Sequence, residues 1–247
     1  DSAVVAAIAA DVLGPENVRV LLMPSQFSSD HSVEDSIALA ENLGVKYDVV
    51  PITDAYKLMT EAMAPIFGED NEFGVAEENI QSRLRSVLLM ALSNKYGDVL
   101  LNTTNKSELA LGFSTLYGDS AGVLSILGDV YKRDVYALAH LINREKDIIP
   151  ESIIEKEPSA ELRPDQKDID YMPPYDVVDA IIYRMLEEGQ SREEIINAGF
   201  DSDVVHKIYG NILRNAQKRY QFCPVLRISH CTFGKDRIMP LTSKYGF

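Results

Sequence analysis

The sequence predicts an α/β fold, a doubly wound parallel sheet followed by C-terminal helices. Three observations carry that expectation. Short apolar runs at 18–23, 46–52 and 98–104 read as buried strands, too short and too rich in β-branched residues for helices. Segments with helical spacing separate them, and this alternation implies right-handed crossovers and a parallel sheet. Polar and charged residues crowd the end of the third run, and ligands bind at the C-terminal ends of strands in such sheets.

Residues 2–13 are rich in Ala and predict a helix, with Asp1 or Ser2 as its cap and Gly14-Pro15 as its stop. VRVLLM at 18–23 predicts a strand, and PSQFSS the polar loop after it. Residues 32–43 predict an amphipathic helix closed by Gly44. Residues 46–52 predict a second strand, with Pro51 at its end or on an edge. A short helix over 54–65 and an exposed loop over 66–76 follow. The clearest helix covers 77–96: Ile80, Leu84, Val87, Leu88, Ala91 and Leu92 recur at helical spacing, and Gly97 closes it. Asn79 and Arg83, four apart, share one of its faces. After the strand at 98–104, residues 133–143 predict a helix. Residues 155–174 contain Pro158, Pro164, Pro173 and Pro174 without hydrophobic period, which predicts a long loop of the lid type, mobile without ligand. Residues 175–220 read as helices, and the tail has no period. One domain over 1–247 is expected: a core over 1–144 that lacks its first strand, a lid over 155–174, and helices with a tail over 175–247.

Composition narrows the function. With 24 Lys+Arg against 38 Asp+Glu, the net charge of −14 argues against a nucleic-acid or membrane surface but leaves room for a small basic pocket. No apolar run approaches the roughly 20 residues of a membrane span, and no signal peptide is visible. Cys223 and Cys231 read as reduced thiols of a cytoplasmic protein. His230 beside Cys231 lacks further ligands at metal-site spacing. The chain opens on Asp1-Ser2-Ala3 without a Met and already in a helix, so an upstream segment is expected.

The chemistry concentrates between Asn102 and Ala139. Thr103 is a hydroxyl donor at a strand end, Glu108 and Asp119 are candidate metal ligands, and Lys132 is a cation at a helix start. Singly, each reads as a cap, a surface carboxylate or a solvated lysine. Together they resemble a nucleotide site, which needs carboxylates for Mg²⁺, cations for leaving-group charge and a helix N-terminus for phosphate.

Five motifs carry a family resemblance: the helix starting Asp-Ser-Ala, ENIQSRLR at 78–85, NTTNKSELALGFSTLYGD at 102–119, DVYKR at 129–133 and EKEPSAEL at 155–162. Essentially the whole chain resembles the synthetase domain of NAD⁺ synthetases, adenylating enzymes with an SGGxDS pyrophosphate loop and an adenine nucleotide alpha hydrolase-like, Rossmann-like fold. The tail resembles that of the glutamine-dependent forms. The resemblance implies ATP-dependent amidation of deamido-NAD⁺ through an adenylate, with Mg²⁺ as cofactor. Ammonia would come directly or from glutamine through an upstream amidase (glutaminase) domain, and a homo-oligomer, a dimer in relatives, is implied. Asp1 and Ser2 match the end of SGGxDS, whose first half and preceding strand are expected upstream. By the same resemblance Asp1, Ser2, Met23, Thr103, Lys132 and Ser159 meet ATP, and Asp1 and Glu108 hold Mg²⁺. Asn79, Arg83, Glu108, Phe113, Leu116, Asp119 and Lys218 face deamido-NAD⁺. Asp1, Glu108 and Lys132 carry the catalysis. The sequence departs from relatives at Val123, where some carry an acid, and at SHCTFG in the tail. Two other readings stay open: another ammonia-using adenylating synthetase of the GMP synthetase type, and a non-catalytic nucleotide-binding module.

Overall fold

The computed structural model describes residues 1–68, 72–164, 166, 172–234 and 236–237. Parts of the expected 66–76 loop, the 155–174 lid and the tail lie outside the described residues.

Helix α1 (Ser2–Leu13) buries Ala3, Val4, Val5, Ala7, Ala9 and Ala10, small side chains that let it pack closely, and ends at Gly14. A single 3-10 turn (Pro15–Asn17) leads into β1 (Arg19–Leu22). Helix α2 (Asp30–Leu43) is capped by Ser29, whose hydroxyl accepts from Ser32 N–H, and closes at Gly44 in the left-handed region. Strand β2 (Lys46–Val49) pairs parallel to β1, with Arg19 opposite Lys46. Helices α3 (Thr53–Phe67) and α4 (Val75–Tyr96) follow. Strand β3 (Leu101–Asn102) pairs parallel to β4 (Leu124–Ser125), with α5 (Lys106–Leu111) between them. Helices α6 (Lys132–Ile142) and α7 (Glu151–Glu155) precede the C-terminal group α8 (Tyr175–Leu186), α9 (Arg192–Asn197), α10 (Ser202–Arg214) and α11 (Ala216–Tyr220).

Two main cores result. One joins α1, α2 and α6 through Val4, Val5, Leu39, Leu127, Val135 and Ile149. The other packs α5 against α8, α9 and α10 through Leu109, Val178, Ile181, Ile182, Ile195, Val205 and Ile212. The α/β class and the parallel pairing agree with expectation, and no helix among the described residues is long and apolar enough to cross a membrane.

Several expectations need correction. Among the described residues the strands form two separate parallel pairs, β1-β2 and β3-β4, rather than one sheet. The expected strand over 98–104 shrinks to two residues. After Asn102 the chain turns, and Asn102 Oδ1 accepts from Thr104 N–H at 2.9 Å. Glu108 lies inside a helix that periodicity did not reveal, because α5 is only six residues long. Pro65 sits within α3 rather than ending it. Helix α4 buries polar residues, Glu77, Gln81, Ser82 and Ser86, while Val87 and Met90 face outward.

Candidate functional site

The site is built on α5. Asn105 caps that helix: its Oδ1 accepts from Glu108 N–H at 2.9 Å, and Glu108 Oε2 accepts from Asn105 N–H at 3.2 Å. This reciprocal capping box fixes the Glu108 side chain beside the helix start. The remaining polar group of Asn105, Nδ2, donates to Asp1 Oδ1 at 3.0 Å. Lys132, the first residue of α6 and nearly buried, donates from Nζ to Asp1 Oδ2 at 2.6 Å. Asp1 occupies the cap position of α1 but makes no side-chain cap bond, because its carboxylate is spent on α5 and α6. Asp1 and Lys132 pair directly, and Asn105 bonds both Asp1 and Glu108, so the three charged residues gather around one point. The Lys132 ammonium also lies 5.4 Å from the ring centre of Tyr136 and 5.8 Å from that of Tyr175.

A second group fastens the loop after α5 to α4. Ser82 Oγ donates to Asp119 Oδ1 at 2.7 Å and accepts from Asp119 N–H at 2.9 Å. Thr115 N–H donates to the same carboxylate, and Thr115 Oγ1 to Asn79 Oδ1 at 2.6 Å. Arg83 Nε donates to Leu116 O. Gly118 permits the approach, since a Cβ there would lie 2.3 Å from Ser82 Oγ. Asn79, Arg83 and Asp119 therefore fasten this wall through Thr115, Leu116 and Ser82. Lys218, from α11, donates to Gly112 O at 2.6 Å and Ser114 O at 2.7 Å. Burial lowers its pKa, with Asp119 opposing. The Lys218 ammonium is thus seated on the carbonyls at the end of α5.

The third group lies at the end of β1. Arg85 Nε donates to Met23 O at 3.0 Å. Burial lowers the Arg85 pKa and Glu161 opposes it. Ser159 Oγ accepts from Glu161 N–H at 3.1 Å, and Glu161 binds Ser32 Oγ and Lys156 Nζ. Gln81 Nε2 donates to Leu162 O at 2.7 Å. The described start of the 155–174 segment therefore rests on α2 and α4.

All the sequence-predicted residues line one cavity of about 1880 Å³: Asp1, Ser2, Met23, Asn79, Arg83, Thr103, Glu108, Phe113, Leu116, Asp119, Lys132, Ser159 and Lys218. The cavity continues along an apolar slot lined by β1, β3 and the facing helices. Sequence reading missed Arg85, Asn105, Ser82 and Thr115. Only Asn105 carried a usable signal, the Asn-x-x-Glu spacing of a capping box. No cluster of three or more His, Cys, Asp or Glu suited to a metal occurs among the described residues. Asp1 and Glu108 are a pair of carboxylates, and Mg²⁺ is commonly held by one or two carboxylates completed by phosphates and water.

Comparison with known proteins bears on this arrangement. The NAD synthase family model matches residues 1–222. A protein of Synechocystis sp. named glutamine-dependent NAD(+) synthetase is 49% identical over 245 residues, 99% of this chain and 44% of its own length. A protein of the same name from Thermotoga maritima is 46% identical over 247 residues, covering 99% and 43%. The chain thus spans under half the length of these relatives. Among solved structures, a glutamine-dependent NAD+ synthetase of Acinetobacter baumannii in complex with adenosine diphosphate is similar, with a TM-score of 0.62 and 38% identity. That match covers 97% of this chain and 43% of the other. An NH3-dependent NAD synthetase of Campylobacter jejuni has a TM-score of 0.68 at 27% identity, covering 88% and 81%. A family match across nine-tenths of the sequence, coinciding with the cavity and its charged end, assigns the lineage: the chain belongs to the NAD synthase family.

Proposed function

We propose that this chain is the synthetase part of an NAD⁺ synthetase. It would convert deamido-NAD⁺ to NAD⁺ with ATP in the cytoplasm, using ammonia supplied directly or from glutamine by an upstream amidase domain. The observation that carries this reading is the Asp1–Lys132–Glu108 cluster on the wall of a cavity that every motif residue lines, in a member of this family.

The chemistry follows from that arrangement. A nicotinate carboxylate oxygen attacks the α-phosphorus of ATP, and the bond from that phosphorus to the bridging oxygen breaks. Pyrophosphate leaves and an acyl adenylate remains. Ammonia then attacks the acyl carbon, the carbon–oxygen bond to AMP breaks, and nitrogen loses a proton. Charge grows on pyrophosphate in the first step. Lys132 would offset it, as fixed donors aimed at developing charge do. The donors Asp1 and Glu108 suit Mg²⁺, which when bound would neutralise phosphate oxygens. Ser2, Thr103, Met23 and Ser159 are then ATP contacts. The stapled wall bearing Asn79, Arg83, Phe113, Leu116 and Asp119, with Lys218 behind it, would receive deamido-NAD⁺.

Two features support the wider assembly. The slot between β1 and β3 is lined by Val4, Val20, Leu22, Leu39 and Leu101, and it suits one further parallel strand leading into a phosphate loop at Asp1. The outward Val87 and Met90 of α4, with Leu58 and Met59 of α3, supply an apolar face for a homodimer. The lid over 155–174 would close over bound nucleotide.

The test is incubation of the full-length protein with ATP, Mg²⁺ and ammonia, with deamido-NAD⁺ or xanthosine monophosphate as acceptor. NAD⁺ formation from the first alone is expected. Amidation of the second instead, or of neither, ends this reading.

A further inference from the structure

The N-terminus of α6, which carries Lys132, takes its caps from two distant elements. Tyr131, at its own cap position, makes no side-chain bond there. Lys132 N–H donates instead to Ser107 Oγ at 3.0 Å, and Arg133 N–H donates to Asp179 Oδ2 at 3.0 Å. The Ser107 hydroxyl in turn donates to Asp179 Oδ1. Ser107 lies on α5 beside Glu108, and Asp179 lies on α8. Both are fully buried, and neither lines the cavity.

This is an expensive arrangement for mere packing. Burial pushes the Asp179 carboxyl up, with the bonds from Ser107 and Arg133 opposing. An apolar side chain in the same core would avoid that cost. What the carboxylate does accomplish is geometric. A negative group at a helix N-terminus complements the helix dipole, and its second oxygen fixes the Ser107 hydroxyl. Ser107 then holds the Lys132 backbone, one residue from Glu108. Two of the three members of the charged cluster are thereby locked in mutual register from below.

We propose that Ser107 and Asp179 form a positioning pair that sets Lys132 against Glu108 and Asp1 for the ATP half of the reaction. The proposal rests on the NAD⁺ synthetase reading. A plain core anchor would lower stability and disturb both substrates alike. A positioning pair beneath Lys132 acts on ATP selectively.

The experiment uses the full-length protein and the variants Ser107→Ala, Asp179→Asn and Asp179→Ala. Calorimetry measures MgATP binding, kinetics give kcat and both KM values, and thermal unfolding gives Tm. Asp179→Ala and Ser107→Ala are expected to lower kcat/KM for ATP by roughly 10- to 100-fold and to weaken MgATP binding, because small displacements of aligned groups cost rates of that order. The KM for deamido-NAD⁺ should stay within about twofold, since the Asn79, Arg83 and Asp119 wall is held from α4 and Glu108 keeps its capping box on Asn105. Asp179→Asn should recover part of the loss. Its carbonyl can still accept from Arg133 N–H, and the Ser107 hydroxyl can accept from its amide. Unchanged kcat/KM for ATP in the Ala variants overturns the proposal. So does a parallel rise of both KM values that tracks a fall in Tm. If Asp179→Ala does not fold, Ser107→Ala and Asp179→Asn decide. If the wild type binds MgATP but makes no NAD⁺, the functional reading fails, and the binding measurements still decide the pair.

Discussion

Lys132 Nζ and Asp1 Oδ2 meet at 2.6 Å across 131 positions of sequence. The contact joins the first residue of α6 to the start of α1, while Asn105 ties the same carboxylate to α5. Three helix N-termini converge here, and their dipoles favour an anion. Replacing Lys132 by Ala should lower kcat roughly 10²- to 10³-fold, the usual loss on removing one donor to developing charge. Arg should rescue poorly, because a planar fork does not replace a point charge. Pyrophosphate release measured against ATP concentration checks both variants.

Glu108 caps α5 and is proposed to hold Mg²⁺, and one substitution separates the two. Its carboxylate closes the capping box on Asn105 N–H, and a Gln oxygen accepts that bond as well. Glu108→Gln should therefore keep its unfolding midpoint while losing activity and requiring more Mg²⁺. Urea unfolding alongside a Mg²⁺ titration of the rate checks this. Lost stability with unchanged Mg²⁺ dependence would show that the residue only caps.

Lys106 lies fully buried with Nζ at 2.9 Å from Asp129, 2.6 Å from Glu187 and 2.8 Å from both Ser229 Oγ and Cys231 O. It ties α5 to α8 and to the tail. Lys106→Ala leaves two buried carboxylates uncompensated and should cost about 3–5 kcal/mol, read by urea unfolding.

The same cluster sets an acid limit. Burial pushes the Asp129 carboxyl up, but bonds from Lys106, Ser229 and Ile228 outweigh it and hold it below the ordinary 3.8. A carboxyl with a depressed folded-state pKa stabilises above its unfolded value and loses that stability as pH falls through its folded value. Asp179, shifted upward, works in the opposite sense: its contribution falls as pH rises from 3.8 through its folded value. Urea midpoints of the wild type should decline on acidification below about 3.8. Asp129→Asn should flatten that decline while lowering the midpoint at pH 7.

Gly112 adopts φ +72°, and a Cβ there would lie 2.2 Å from Asn215 Cβ. Asn215 caps Leu111 O, so the contact closes the end of α5. Gly112→Ala should destabilise by about 1–3 kcal/mol through overpacking, measured by thermal unfolding.

Much of this was legible in the sequence. Long helices with glycine stops, such as α2 with Gly44 and α4 with Gly97, declared themselves through periodicity and caps. The motif residues that the family resemblance assigned converge on one cavity. What stayed hidden depends on tertiary partners. Helix α5 is too short for a period to register. The polar buried face of α4 follows from the loop it holds, and Asp179 reads in sequence like any solvated helix acid. The division of the strands into two pairs was equally beyond local pattern, since each strand offers only two or four residues to its neighbour.

The route of one oxygen atom tests the central claim most directly. Deamido-NAD⁺ labelled with ¹⁸O in the nicotinate carboxylate is turned over by the full-length protein with ATP, Mg²⁺ and ammonia. Attack of the carboxylate on the α-phosphorus carries one labelled oxygen into AMP, with NAD⁺, AMP and pyrophosphate formed in equal amounts. Label in orthophosphate with ADP as product, or AMP released without label, would contradict an adenylate formed at the Asp1–Lys132–Glu108 cluster.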